Sequence, residues 1–151
     1  MPDVQVIGVD LGGTSIKLAR IRADGTVMAE AQCPTPQPAV PGAVTMALCE
    51  AIEQIDPGHA AQAVGVGLPG PMDASARVAR VCINLPGWED VPLADWLESR
   101  INRQVTLAND GNCAVVGEAW LGAARGVEDV VLLTLGTVSY THLTLPTKSS
   151  G

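Results

Sequence analysis

Two short segments hold residue types that could do chemistry. Asp10-Leu11-Gly12-Gly13-Thr14 follows one apolar run and Asn109-Asp110-Gly111-Asn112 follows another. In the first, Gly12 and Gly13 carry no Cβ, so a phosphate could approach the backbone and accept its N–H groups. Thr14 adds a hydroxyl donor, and Lys17 a nearby positive charge. Asp10 would repel a bare phosphate but could hold Mg²⁺, directly or through water. The same residues would also make an ordinary hairpin turn. This first segment has the form of neither G-x-x-x-x-G-K-S/T nor G-x-G-x-x-G, so P-loop and dinucleotide-binding chemistry fit it poorly. In the second segment, a carboxylate beside an amide could grip adjacent sugar hydroxyls and take a proton from one. Positioned general-base help of this kind is worth about 10²–10⁴ in rate. Asp110 or Asn112 would equally serve as a helix cap.

Two more apolar runs end in the same way, at Gly67-Leu68-Pro69-Gly70 and at Gly136-Thr137. Ligands of open α/β sheets collect at the carboxyl ends of strands, and four such turns exceed what turn-making requires. Asn84-Leu85-Pro86-Gly87-Trp88 offers an amide and an indole that either line a carbohydrate pocket or anchor a loop. Trp96 and Trp120 sit at helical spacing among aliphatic residues and are expected in the core. His59 is expected in solvent, Glu118 in a solvated or inter-helix contact, and His142 is given no role.

These segments need a scaffold, and the pattern supplies one. Val4–Val9 is β-branched and reads as a buried strand. Ser15–Arg22 and Thr26–Gln32 give two more strands, joined by the hairpin signal Asp24-Gly25. The opening is therefore read as three antiparallel strands. Pro34–Pro41, with four prolines, is a connecting loop. From Gly42 the period becomes helical through Val44, Leu48, Ala51, Ile52 and Ile55, and Asp56-Pro57-Gly58 ends it. Strands follow at Ala63–Leu68, Gln104–Ala108 and Val130–Leu135, with an extended piece at Val78–Ile83. Helices are expected at Pro92–Ile101 and Cys113–Ala124.

The 151 residues suit one domain or one lobe of something larger. At 47% hydrophobic and 17% charged, the chain is too apolar for intrinsic disorder. With no Phe, the core must be built from Val, Leu, Ile and Ala. A net charge of −7 without a basic run argues against nucleic-acid binding. Cys33, Cys49, Cys82 and Cys113 lack zinc spacing and are expected as reduced, buried thiols of a cytoplasmic protein. No signal-peptide pattern and no apolar run long enough to span a membrane is seen.

Together and in this order, the segments resemble the ROK family (repressor, open reading frame, kinase) of sugar kinases, and within it the bacterial glucokinases. VIGVDLGGTSIKLARI from Val6, VGVGLPGPMD from Val64 and INLPGWEDVPLADWL from Ile83 carry the resemblance. So do ANDGNCAVVGEAWLGAARG from Ala108 and LLTLGT from Leu132. The resemblance implies an α/β, actin-like ATPase (ribonuclease-H-like) lobe. Its mixed sheet would hold the three antiparallel strands plus parallel strands and helices. It implies ATP-dependent phosphorylation of a hexose, glucose at O6, in carbohydrate metabolism and glycolysis. Phosphate contacts would fall to Asp10, Gly12, Gly13 and Thr14, with Lys17 nearby and Gly136 and Thr137 on a second turn. Asp10 would be the Mg²⁺ residue. The sugar would be held by Gly70, Asn84, Asn109 and Asp110, and Asp110 would be the catalytic base. Small-molecule sugar and nucleotide are the implied partners, with no nucleic acid and no membrane.

The pattern also departs from the family. Its second glycine-rich phosphate turn, G-T-G-x-G-G-G, is replaced after Gly136-Thr137 by Val138-Ser139-Tyr140. The family's zinc site, further sugar ligands and adenine-binding lobe are not matched. Residues 1–137 therefore read as the first lobe of an actin-like sugar kinase. Residues 138–151, VSYTHLTLPTKSSG, read as a tail of non-native origin. A lobe alone is expected to turn over little, and to be poorly soluble or form homo-oligomers through exposed apolar faces. Two other readings stand: a non-catalytic sugar-binding or interaction module, and a fragment of a ROK-type repressor. The repressor would need a helix-turn-helix ahead of a glycine turn that begins at residue ten. Sequencing the genomic DNA past the Thr137 codon is expected to reveal the second glycine turn in one of the reading frames. A frame that truly ends at Gly151, with no kinase lobe downstream, would refute the junction.

Overall fold

The computed structural model describes residues 3–134, and the backbone of Tyr140–Leu143. The chain forms two compact units, 1–109 and 110–151. The first is built on a mixed five-stranded sheet. Strands β1 (Gln5–Leu11), β2 (Ser15–Arg22) and β3 (Val27–Pro34) form the expected antiparallel meander. Gly25 makes the hairpin turn at φ +88°, a conformation open to glycine. After helix α1 (Pro41–Ile55), β4 (Ala63–Leu68) enters beside β1 and parallel to it. A two-stranded piece, β5 (Ala79–Val81) with β6 (Glu89–Val91), leads into α2 (Leu93–Ile101). Strand β7 (Gln104–Asn109) then adds parallel to β4, giving the order β3-β2-β1-β4-β7. The mixed α/β lobe anticipated from the sequence is thus present. β6 was not anticipated, being three residues of which two are charged.

Alternation along β1 decides which face is covered. Ile7, Val9 and Leu11 are buried, while Asp10 points away from them and is exposed. The covered face meets Leu48 and Ile52 of α1 and Leu93, Leu97 and Ile101 of α2. Aliphatic side chains dominate this core, in keeping with the lack of Phe. Trp96 departs from expectation at 36% exposure, because Leu93, Leu97 and Ile101 already occupy the inward stripe.

In the second unit α3 (Asp110–Leu121) precedes β8 (Val131–Thr134), which pairs antiparallel with β9 (Tyr140–Leu143). The helix begins three residues earlier than expected. Only Gly111 and Val115 of it are buried, so Trp120, at 43% exposure, is also not a core residue. Cys113 is exposed, against expectation, whereas Cys82 is buried and Cys33 and Cys49 are half-buried; all four are free thiols. Gly136 and Thr137 lie outside the described residues, as do the side chain of His142 and all of 144–151. No helix among the described residues is long and apolar enough to cross a membrane.

Two polar arrangements close off the first unit. On the outer side of β7, the Val105 N–H donates to Glu98 Oε1 at 2.8 Å and the Leu107 N–H to the Ala76 carbonyl at 2.9 Å. Arg77 is held by Glu98 Oε2 at 2.6 Å and reaches the Val105 carbonyl at 3.4 Å. An edge strand that would otherwise offer bare backbone groups is thereby occupied. At the opposite end of the sheet from the candidate turns, Asp56 caps the C-terminus of α1 and is fully buried. Its carboxylate accepts the N–H groups of Ala60 (3.0 Å) and Ala61 (2.9 Å), and Nη1 of Arg20 at 2.7 Å. Arg103 Nη2 lies 3.3 Å away and also donates to the Asp56 carbonyl at 3.2 Å. One carboxylate so ties α1 to β2, to the approach of β4 and to the approach of β7.

Burial by itself would raise the Asp56 carboxyl. The Ala61 and Ala60 amides, the Arg20 hydrogen bond and the Arg103 charge outweigh it and hold the group below its ordinary 3.8. The folded state therefore binds this proton less readily than the unfolded chain does. The stabilisation is complete above the ordinary value and drains away as pH falls through the folded one. Asp56→Ala is expected to cost about 3 kcal/mol, since it leaves a buried arginine uncompensated. Asp56→Asn should flatten the acid limb of the stability-against-pH curve. Urea denaturation between pH 2 and 7 reads both, and an unchanged acid limb in Asp56→Asn would contradict the assignment.

Candidate functional site

Parallel pairing settles where the motifs go. Asp10 of β1 pairs with Gly67 of β4, Gly67 with Ala108 of β7, and Leu68 with Asn109. The carboxyl ends of β1, β4 and β7 are therefore level. The turn 12–14, the turn Pro69-Gly70-Pro71 and Asn109 all emerge at one end of the sheet. Lys17, exposed on β2, stands opposite Asp10 across the strand pair, so a cation and a carboxylate are cross-strand neighbours beside the glycine turn.

The turn itself is held from behind. The Gly12 N–H donates to the Ser15 carbonyl at 3.0 Å, so it is not available to a ligand. A Cβ on Gly12 would sit 2.9 Å from the same oxygen, whereas one on Gly13 would meet open space. Thr35 Oγ1 donates to the Gly12 carbonyl at 2.7 Å, and the Thr35 N–H to the Thr14 carbonyl at 3.0 Å. Gln37 Nε2 donates to the Gly13 carbonyl at 3.0 Å. Among the described residues, no hydrogen bond engages the N–H groups of Gly13 and Thr14. The N–H groups of the turn left open to a ligand are thus those of Gly13 and Thr14, and not that of Gly12. Sequence reasoning did not find Thr35 or Gln37. The signal was topological: β3 runs antiparallel to β2, so the chain must leave it beside the glycine turn, as the Ser15–Pro34 pairing records.

The second turn is locked more tightly. A Cβ on Gly70 would collide with the Val81 carbonyl oxygen, so backbone packs directly on backbone there. The Ile83 N–H donates to the Pro69 carbonyl at 2.9 Å, which fixes the neighbouring Asn84 loop to this turn. Asn84 is exposed and adopts φ +65°, a left-handed conformation that asparagine tolerates. Its loop is pinned from below by Trp88, 3% exposed, whose Nε1 donates to the Ala39 carbonyl at 2.8 Å. Of the two readings of Trp88, the anchor is the one observed. Asn109 Nδ2 donates to the Gly70 carbonyl at 3.3 Å, joining β7 to the same turn.

In the second unit, Asp110 opens α3 and its Oδ1 accepts the Gly111 N–H at 2.8 Å. One oxygen thus serves the helix start, where the helix dipole favours a negative charge. Glu118 accepts the Ala123 N–H at 2.8 Å, closing the far end of that helix. His59 is exposed and lies 3.2 Å from Glu53. A hollow of about 430 Å³, lined by Arg77, Glu98, Asn102, Arg103 and Gln104, sits at the start of β7, away from the candidate turns.

Magnesium takes one or two carboxylates, with waters and substrate phosphates filling its octahedron. Among the described residues no three His, Cys, Asp or Glu side chains cluster as a metal cage. A single exposed Asp10 beside a turn with two open N–H groups fits an ion held mainly by water and ligand oxygens, not one caged by protein.

The chain matches the ROK family over residues 6–138. It is similar to the glucokinase of Thermotoga maritima, 39% identical over 137 residues, covering 91% of this chain and 43% of that protein. Among solved structures it resembles a ROK family glucokinase from Streptomyces griseus in complex with glucose and AMPPNP. That likeness has 32% identity and a TM-score of 0.87, covering 95% of this chain and 45% of the other. It also resembles an inorganic polyphosphate/ATP-glucomannokinase from Arthrobacter, with 29% identity, a TM-score of 0.84 and coverage of 95% and 59%. The chain thus spans less than two thirds of the length of these relatives.

The packing at the two turns separates their glycines. Gly70→Ala is expected to destabilise the fold by about 3 kcal/mol, because backbone must move to admit the methyl group. Gly13→Ala, facing open space, should stay within about 0.5 kcal/mol of the parent. Thermal unfolding of both variants checks this, and equal midpoints would contradict the geometry.

Proposed function

The chain belongs to the ROK family, which has the actin-like ATPase fold, and from that premise we propose that the whole protein is an ATP-dependent hexose kinase, with glucose phosphorylated at O6. The observation that carries this reading is the level end of the sheet. There a glycine turn with two outward N–H groups and the Asn109 amide share one edge. Residues 1–137 would form the first lobe of that kinase.

In this reading the N–H groups of Gly13 and Thr14, the Thr14 hydroxyl and Lys17 receive the phosphates of ATP. Gly12 lets the turn close, and Gly136 and Thr137 belong to a second phosphate contact. Mg²⁺, when bound, neutralises phosphate charge, and Asp10 is the residue that would hold it through water. Asn109, the Gly70 turn and Asn84 hold the sugar hydroxyls. Asp110 accepts the proton of the attacking hydroxyl, while its Oδ1 also takes the Gly111 N–H at the helix start. The hydroxyl oxygen bonds to the γ-phosphorus as the bond to the ADP oxygen breaks, in line. Such transfer depends on positioning and charge neutralisation more than on covalent help from the protein. Glucokinases at 39% and 32% identity, one of them in complex with glucose and AMPPNP, support glucose and ATP as the substrates.

In the full-length protein, Asp110→Asn is expected to lower kcat by about 10²–10⁴ with glucose affinity little changed. A coupled ADP-release assay alongside calorimetry reads the two quantities. Wild-type binding of glucose and Mg·ATP without any transfer would instead favour a non-catalytic sugar-binding module.

A further inference from the structure

We propose that Thr35 and Gln37 are positioning residues for the phosphate turn, holding the peptide planes of Gly12-Gly13-Thr14 so that the Gly13 and Thr14 N–H groups face outward. The proposal rests on the kinase reading of that turn. Within a trans peptide plane the carbonyl of one residue and the N–H of the next point in opposite directions. Fixing the Gly12 carbonyl therefore fixes the Gly13 N–H, and fixing the Gly13 carbonyl fixes the Thr14 N–H. Thr35 Oγ1 takes the first carbonyl at 2.7 Å and Gln37 Nε2 the second at 3.0 Å. The Thr35 N–H takes the Thr14 carbonyl at 3.0 Å, so three successive carbonyls of the turn are drawn to one side.

The need for such a hold follows from the residues that make the site possible. Glycine lets a phosphate come close, but it also lets its flanking peptides rotate. A rotated plane would present a carbonyl oxygen to the anion instead of a donor. Thr35 is 3% exposed and so cannot easily exchange its partner for water, whereas Gln37 reaches over from an exposed position. Both stand on the proline-rich segment that leaves β3, whose fixed φ angles limit its own motion. The segment that reads as a mere connector thus sets the donors of the turn.

The test uses amide resonances of the full-length protein during titration with Mg·ATP. Thr35→Val keeps the volume and removes the donor, Thr35→Ser restores it, and Gln37→Ala removes the second hold from an exposed position. Wild type and Thr35→Ser are expected to shift the Gly13 and Thr14 amides with similar midpoints. Thr35→Val and Gln37→Ala should need roughly tenfold more nucleotide, the scale of one lost hydrogen bond. The Val64 and Val105 amides should keep their native positions throughout, which a general loss of structure would not allow. Should Thr35→Val fail to fold, Gln37→Ala decides. Wild-type midpoints in folded variants would overturn the clamp and leave the kinase reading standing. Gly13 and Thr14 amides that ignore Mg·ATP in the wild type would overturn both.

Discussion

The placement of every candidate turn in the first unit depends on the register of three parallel strands. The ladder that sets Asp10 against Gly67 and Gly67 against Ala108 leaves no freedom in where the following loops begin. A slip of one residue would turn Asp10 into the core and bring Leu11 out, because side chains alternate across a strand. Burial of Ile7, Val9 and Leu11 on one face therefore fixes the polar end of the sheet as firmly as it fixes the core. The chemistry-bearing loops inherit their alignment from aliphatic packing several residues away.

The two ends of this sheet are built on different principles. At the Asp56 end, a buried carboxylate gathers two arginines and two backbone amides into one ionic knot. At the other end the contacts are backbone with backbone, or a neutral side chain with a carbonyl: Gly70 against Val81, Thr35 with Gly12, Asn109 with Gly70. The buried ionic knot thus lies at the end of the sheet away from the glycine turn, whose charged neighbours, Asp10 and Lys17, are exposed. It also lets a turn rich in glycine, costly in backbone entropy, be held by a scaffold closed elsewhere.

Much of this was legible in the residues, for local reasons. β2 and β4 have their boundaries written in alternation and in the turns around them, and α1 in its helical period and its Asp-Pro-Gly stop. What depends on distant contacts was not legible. Thr35 meets Gly12 across 23 residues and Arg103 meets Asp56 across 47, and neither pair has a local signature. The start of α3 was misplaced because Asp110-Gly111-Asn112 has the composition of a turn. Trp96 and Trp120 were placed in the core on size and spacing, yet Leu97 and Val115 hold the inward positions. The glycine turn has a local signature, but which of its amides face outward is set by Thr35 and Gln37, more than twenty residues away.

The anchoring of Trp88 has an optical consequence. Of the three indoles, one is sealed among aliphatic side chains with its N–H on a carbonyl, and two stand in contact with water. With no Phe and a single Tyr in the chain, ultraviolet emission comes almost wholly from these rings. The sealed ring supplies the blue part of that spectrum and the two wet rings the red part. Because Trp88 sits four residues from Asn84, the blue component carries a native fluorescence signal from beneath the Asn84 loop, with no dye attached.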